Sequence, residues 1–273
     1  MTEPAPTPAV RDLPDDLPPV KPPSVVFIFQ LFVVPALIVA AVVAVWVLFG
    51  RLATGDQDWQ SLVADLNSPN HHIRYRAMNG LAQVLDNDRR LGPAGQRLSQ
   101  NAMIAQSLSE QLAKKLTSGS ASQETLSDQV YLTRALGQLD LPELALSPLA
   151  TALNESFDVE VRKGAITSII FIGGRAWERG APLTSPELSD AVIQFSQDAD
   201  KRLRRSAAYA LGLIQTEAAA ERLQVLLEDA DAMTTANAAN ALSRRGTTAG
   251  YPVLKRILSG EVLSDPEVPD EKA

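Results

Sequence analysis

The sequence predicts an all-α protein in which one transmembrane helix precedes a solenoid of about five helical hairpins. Three observations predict it. Val25 to Phe49 is apolar apart from Gln30, and no charged residue lies between Lys21 and Arg51. The chain beyond this run reads as amphipathic segments separated by short polar or proline-bearing turns. Within those segments, similar stretches recur at spacings of roughly 30–55 residues, the signature of stacked supersecondary units.

Composition supports this reading and excludes several function classes. Aromatic residues make up 5% of the 273-residue chain, while alanine and leucine are plentiful, which favours closely packed helices over sheet. The net charge is −7. Arg11 and Lys21 precede the apolar run, as do Glu3, Asp12, Asp15 and Asp16, so 23 basic and 28 acidic residues follow it. A surface with that balance repels phosphate backbones and argues against nucleic-acid binding. There is no cysteine, so disulfides, Cys-ligated metals and thiol catalysis are excluded.

Residues 1–24 contain eight prolines, Pro4, Pro6, Pro8, Pro14, Pro18, Pro19, Pro22 and Pro23. Proline at this density removes backbone donors and fixes φ, so a disordered, extended tail is expected. A transmembrane helix is expected over residues 25–49. At about 1.5 Å per residue, that length crosses a hydrocarbon core of about 30 Å with some to spare. Phe27, Phe29 and Phe32 cluster near one end and Trp46 near the other, as interfacial aromatics do. Pro35 is tolerated in such a helix. Ala53-Thr54-Gly55 resembles a signal-peptidase site before Asp56. The apolar run is longer than a signal-peptide core, however, and the region before it is acidic, so a retained anchor is expected. Arg11 and Lys21 stand on the amino side against Arg51 on the other. That difference of one charge favours an amino terminus in the cytoplasm, with the repeats on the non-cytoplasmic side, a periplasm if the cell is bacterial. Residues 50–57 are expected to form a juxtamembrane linker.

Helical hairpins are expected over residues 58–259. Helix starts carry physical signals. Asp158 and Asp200 sit where a carboxylate accepts bonds from free amides. Thr184 with Glu187 has capping-box spacing, and Ser185 before Pro186 offers an alternative cap. Residues 87–100 and 174–185, with their glycines and prolines, are expected to be loops projecting from an edge. Residues 260–273 are acidic, carry two prolines and are expected to fray.

The internal similarity is specific. Asn70-His71-His72-Ile73-Arg74-Tyr75-Arg76-Ala77, Asp158-Val159-Glu160-Val161-Arg162-Lys163-Gly164-Ala165 and Asp200-Lys201-Arg202-Leu203-Arg204-Arg205-Ser206-Ala207 share one pattern. A capping residue is followed by an aliphatic three later, Arg one further on and Ala three beyond that. The segments end alike in Ala135-Leu136-Gly137, Ala210-Leu211-Gly212 and Ala241-Leu242-Ser243. This pattern resembles the second helix of a HEAT (armadillo-like) repeat. The resemblance implies a right-handed superhelical solenoid, with second helices lining one side and alanines letting neighbouring backbones approach. Two repeats depart from it, with Gln129 and Thr235 where the others have Arg.

Candidate chemistry is sparse. The two histidines, His71 and His72, are adjacent, and neighbouring helix positions point about 100° apart, so they do not form a paired metal site. No phosphate loop, nucleophile elbow or positioned triad occurs. No catalytic, cofactor or metal residues are therefore assigned, and no cofactor is expected. Arg74, Arg162 and Arg204 form a ladder, which the resemblance reads as structural bonds between repeats. Arg202 and Arg205, in the densest basic cluster, are candidate partner contacts. Trp177 is another, placed in the loop that follows Gly173-Gly174. The expected function is a membrane-anchored, non-enzymatic scaffold that binds a protein partner through its solenoid surface. The alternatives are a bilin-lyase-like enzyme built on HEAT repeats and a permanent structural subunit of a membrane complex.

Overall fold

The computed structural model describes residues 22, 24–53, 58–119 and 122–260, with side chains of the first helix as far as Val47. The proline-rich tail before Pro22, the linker residues 54–57 and the acidic tail beyond Gly260 lie outside the described residues. The chain divides into two units at Asp56.

The first unit is helix α1, Val25–Ala53. The Ser24 hydroxyl accepts a hydrogen bond from the Phe27 amide at 3.2 Å and opens it. The stretch Val25–Val47 is long and apolar enough to cross a membrane, by length and composition. Nearly all of its large side chains from Val25 to Trp46 lie exposed, Val33 being half-buried. The helix continues through Gly50–Ala53, which the sequence reading assigned to the linker. One glycine followed by arginine, leucine and alanine does not stop a helix.

The second unit is built of helix pairs. First (A) helices are α2 (Trp59–Asp65), α4 (Ala102–Thr117), α6 (Pro142–Thr151), α8 (Pro186–Phe195) and α10 (Glu217–Leu226). Second (B) helices are α3 (His71–Leu91), α5 (Gln123–Leu136), α7 (Val159–Glu178), α9 (Lys201–Leu211) and α11 (Ala232–Arg244). A lone α12, Tyr251–Leu258, follows. Helices α4, α6, α8 and α10 pack in succession as one layer, while α3, α5, α7, α9 and α11 form the other, with α12 against α11. This is an all-α helical-repeat solenoid.

Local chemistry sets the helix starts. Asn70, Asp158, Asp200 and Asp231 cap α3, α7, α9 and α11, each accepting a bond from an amide of the first turn. Ser185 rather than Thr184 caps α8, accepting from the Leu188 amide at 3.2 Å. Each B helix then carries an inward stripe. Three residues after the ladder position stand Ala77, Leu132, Ala165, Ala207 and Ala238, all buried. Alanine there has only a methyl group to hold neighbouring backbones apart, and leucines such as Leu81, Leu108, Leu136 and Leu149 fill the space between layers.

Two expected loops are not projections. Helix α3 runs on to Leu91 because Val84, Leu85 and Asp88 keep facing inward. The buried Asp88 carboxylate then accepts bonds from the amides of Gln96 and Leu98. That folds 92–101 back as two 3₁₀ turns, with Leu98 buried. Helix α7 likewise continues through Gly173-Gly174 to Glu178, because Gly173 faces Leu213 and Leu183 while Ala176 is buried. The chain after it stays packed: the Gln215 amide donates to the Leu183 carbonyl at 2.6 Å.

Glycines within α7 therefore differ sharply. A Cβ on Gly164 would stand 2.4 Å from the Thr133 hydroxyl, which is buried and donates to the Val130 carbonyl. A Cβ on Gly174 would meet nothing within 4 Å. Gly164→Ala is expected to lower stability by about 1–2 kcal/mol through overpacking. Gly174→Ala is expected to raise it by about 0.5–1 kcal/mol through helix propensity and a less flexible unfolded chain. Urea unfolding followed by circular dichroism reads both, and equal signs would contradict the packing described.

Candidate functional site

The ladder arginines lie at the start of the B layer and face the A–B turns. Arg74 donates from Nη1 to the carbonyls of Ser68 and Pro69, both at 3.0 Å, and from Nε to Asp128 at 3.2 Å. Arg204 does the same one end along: Nη1 reaches the carbonyls of Asp198 and Ala199 at 3.0 Å, and Nε and Nη2 grip Asp229 at 2.8 and 3.1 Å. Arg162 donates to the Leu153 carbonyl at 3.3 Å and to Asp198, with its guanidinium 5.2 Å from the Phe195 ring centre.

The two departing repeats fill the same position by other means. Gln129 donates to the Lys115 carbonyl at 2.9 Å, and the Thr235 hydroxyl donates to the Asp229 carbonyl at 3.1 Å. Asp128, 1% exposed, takes both Arg74 and Lys115 on Oδ2.

A second arginine set closes the opposite end of the B layer, and the sequence reading missed it. Arg175 donates to the carbonyls of Gly137 and Leu139 at 3.0 and 2.6 Å, and to Asp140. Arg245 donates to the carbonyls of Thr216, Leu211 and Ile214. Each thus satisfies carbonyls left open just beyond the B helix of the preceding repeat. The available signal was an arginine near the end of α7 and of α11, facing a helix that ends in Leu-Gly.

The three candidate partner residues divide. Arg205 is engaged: Nε and Nη2 grip Asp231 at 2.9 and 2.5 Å. Arg202 is 74% exposed and donates only at 3.3 Å to Asp200 on its own helix start. Trp177 is not in a loop. It sits in the last turn of α7, half-buried, with the Arg244 guanidinium 5.9 Å from its ring centre. Arg244 lies equally close to Tyr209, at 5.6 Å. The three side chains come from three successive B helices.

They belong to an exposed face that recurs along the layer. Five residues after the ladder position stand Asn79, Arg134, Thr167, Tyr209 and Asn240, all exposed. Phe171 and Met233 are exposed on α7 and α11. Below Arg244 an open pocket of about 450 Å³ is lined by Trp177, Gly180, Pro182, Gln215 and Arg245. A larger hollow of about 740 Å³ lies at the other end of the repeats, around Phe157, Arg162, Phe195 and Asp198. His71 and His72 occupy the first turn of α3, and among the described residues no three metal-ligating side chains gather.

A family model described as HEAT repeats matches residues 189–264. No curated protein matches the chain. Among solved structures, similarity extends to a designed armadillo repeat protein, YIII(Dq.V1)4CPAF, in complex with peptide (KR)4. It is 20% identical, with 77% of this chain and 95% of that one covered and a TM-score of 0.49. Human deoxyhypusine hydroxylase in complex with glycerol is 17% identical over 80% of this chain and 93% of its own, with a TM-score of 0.31. The hairpin geometry defines an all-α helical-repeat protein whose last repeats, over residues 189–264, are similar to HEAT repeats.

Electrostatics follow the contacts. Burial works against ionisation of Asp198, but the bonds from Arg162 and the Asp200 amide outweigh it, and its carboxyl is held below the usual carboxylate range. Arg205, more than the opposing effect of burial, holds Asp231 far below that range, helped by the Thr234 amide and hydroxyl. A lowered folded-state value means that both groups stabilise the fold above the unfolded-state value of about 3.9. That contribution disappears as pH falls through and below about 4. Asp231→Asn is therefore expected to flatten the acid limb of stability against pH, read as the urea midpoint between about pH 6 and pH 3. Arg204→Ala is expected to cost about 2–4 kcal/mol, since it strands Asp229. Arg202→Ala is expected to change stability by no more than about 0.5 kcal/mol in the same urea titration.

Proposed function

We propose that this protein is a membrane-anchored, non-catalytic scaffold that holds a protein partner on the exposed face of its B helices. The observation that carries this reading is the cluster of Trp177, Tyr209 and Arg244, with Phe171 exposed on the same layer. Aromatic and arginine side chains dominate the energy of protein interfaces when they are presented on a rigid support. Here the support is a helical layer clamped at both ends by arginines. The exposed apolar helix Val25–Val47 supports the anchor. Confinement to the bilayer raises the local concentration of the interaction. The flanking charges favour the repeats on the non-cytoplasmic side.

Two measurements test the parts separately. The chain is expected to remain in alkaline-washed membranes, and the double substitution Val39→Lys, Val42→Lys to release it, because each lysine costs about 2.5–3.5 kcal/mol at a helix centre. For binding, crosslinking in native membranes followed by mass spectrometry is expected to recover a recurrent protein with wild type. The double variant Phe171→Ser, Tyr209→Ser is expected to lose it. Recovery of the same protein from both would remove the B-helix face from the reading.

A further inference from the structure

Most arginines of the repeat layers have carbonyls or carboxylates to bind. Arg162 and Arg204 hold turn aspartates, Arg205 grips Asp231, and Arg175 and Arg245 close helix ends. Arg244 is different. It is exposed, and among the described residues its contacts are the rings of Trp177 and Tyr209, with no carboxylate or carbonyl accepting from it. Its guanidinium lies over Gly212, where a Cβ would come within 2.9 Å of Nη2. Gly212 leaves the space, and the two rings hold the cation by their π faces. Such a contact spends none of the guanidinium's N–H donors on a carboxylate or carbonyl.

We propose that Arg244 receives a carboxylate from an extended partner segment in which acidic and apolar residues alternate. This rests on the scaffold reading and adds the chemistry of what the face recognises. A planar fork of donors on a preset support matches a carboxylate in two parallel bonds. Arg245, the next residue, has its Nη donors turned inward on carbonyls, so its fork is already used. Beside the fork, the pocket of about 450 Å³ presents Trp177 and Pro182 as apolar walls against which a partner's apolar side chain can pack. Exposed Phe171 and Tyr209 extend the apolar contact. The chain as a whole is acidic, with net charge −7, so a cation set between two aromatic rings on this face selects its ligand by sign.

The test uses the full chain in nanodiscs of neutral phosphatidylcholine, with empty nanodiscs as blank, and three fluorescein-labelled peptides, (Glu-Leu)4, (Gln-Leu)4 and (Lys-Leu)4. Fluorescence anisotropy is expected to show (Glu-Leu)4 binding at least about tenfold more tightly than (Gln-Leu)4, with (Lys-Leu)4 weakest. The preference is expected to vanish in Arg244→Gln and to survive in Arg90→Gln, a surface arginine paired with Asp86 in α3. Tyr209→Leu, which removes one ring support, is expected to weaken (Glu-Leu)4 selectively. Circular dichroism establishes that each variant is folded. Equal binding of the three peptides, no binding of (Glu-Leu)4, or a preference unchanged in Arg244→Gln overturns the proposal. If (Gln-Leu)4 binds as well as (Glu-Leu)4 and Phe171→Ser, Tyr209→Ser abolishes both, the charge preference falls while the scaffold face stands.

Discussion

The aspartates of the A–B turns are the joints on which the repeat stack depends. Asp198 serves two repeats at once: its side chain accepts from Arg162, and its backbone carbonyl accepts from Arg204. Asp229 repeats the arrangement, with Arg204 on the carboxylate and Thr235 on the carbonyl. Each joint therefore ties a B helix to its own turn and to the turn of the next repeat. In a stack where every unit touches only its neighbours, stability is a sum of unit and interface terms. Bonds that cross the interface in a fixed geometry also set the register in which the helices meet.

That register allows the B helices to approach closely. Gly164 faces Thr133, and Gly137 faces Ser168, whose hydroxyl donates to the Thr133 carbonyl at 2.7 Å. Close approach aligns the helix ends so that one arginine from the following repeat can reach several carbonyls of the preceding one, as Arg175 and Arg245 do. Buried carbonyls without partners are costly, so these arginines close the layer where the chain must turn. The exposed face is what remains once both rims are satisfied. Its character then rests on a few positions, of which Tyr209 and Arg244 on neighbouring helices are the clearest.

Much of this was legible along the chain, and the misses share a cause. Asp158 and Asp200 were readable as caps because a cap bond spans only two residues. The ladder was readable because its position recurs with its neighbours. Gly173-Gly174 misled because glycine lowers helix propensity, and only the packing against Leu213 and Leu183 shows why the helix persists. Residues 87–100 misled because nothing in their composition says that Asp88 gathers the amides of Gln96 and Leu98.

Arg202, Arg205 and Arg244 mark the boundary between the two kinds of information. By sequence all three are arginines on amphipathic helices. The sequence by itself determined the all-α class, the apolar first helix, the repeat period and most helix starts, because these follow from composition and from contacts within one or two turns. Tertiary structure alone decided that Arg205 is gripped by Asp231, 26 residues away, and that Arg244 lies against two aromatic rings. The physical reason is distance along the chain. An arginine's role depends on which acceptor its long side chain can reach, and that acceptor is brought near only when separate repeats stack.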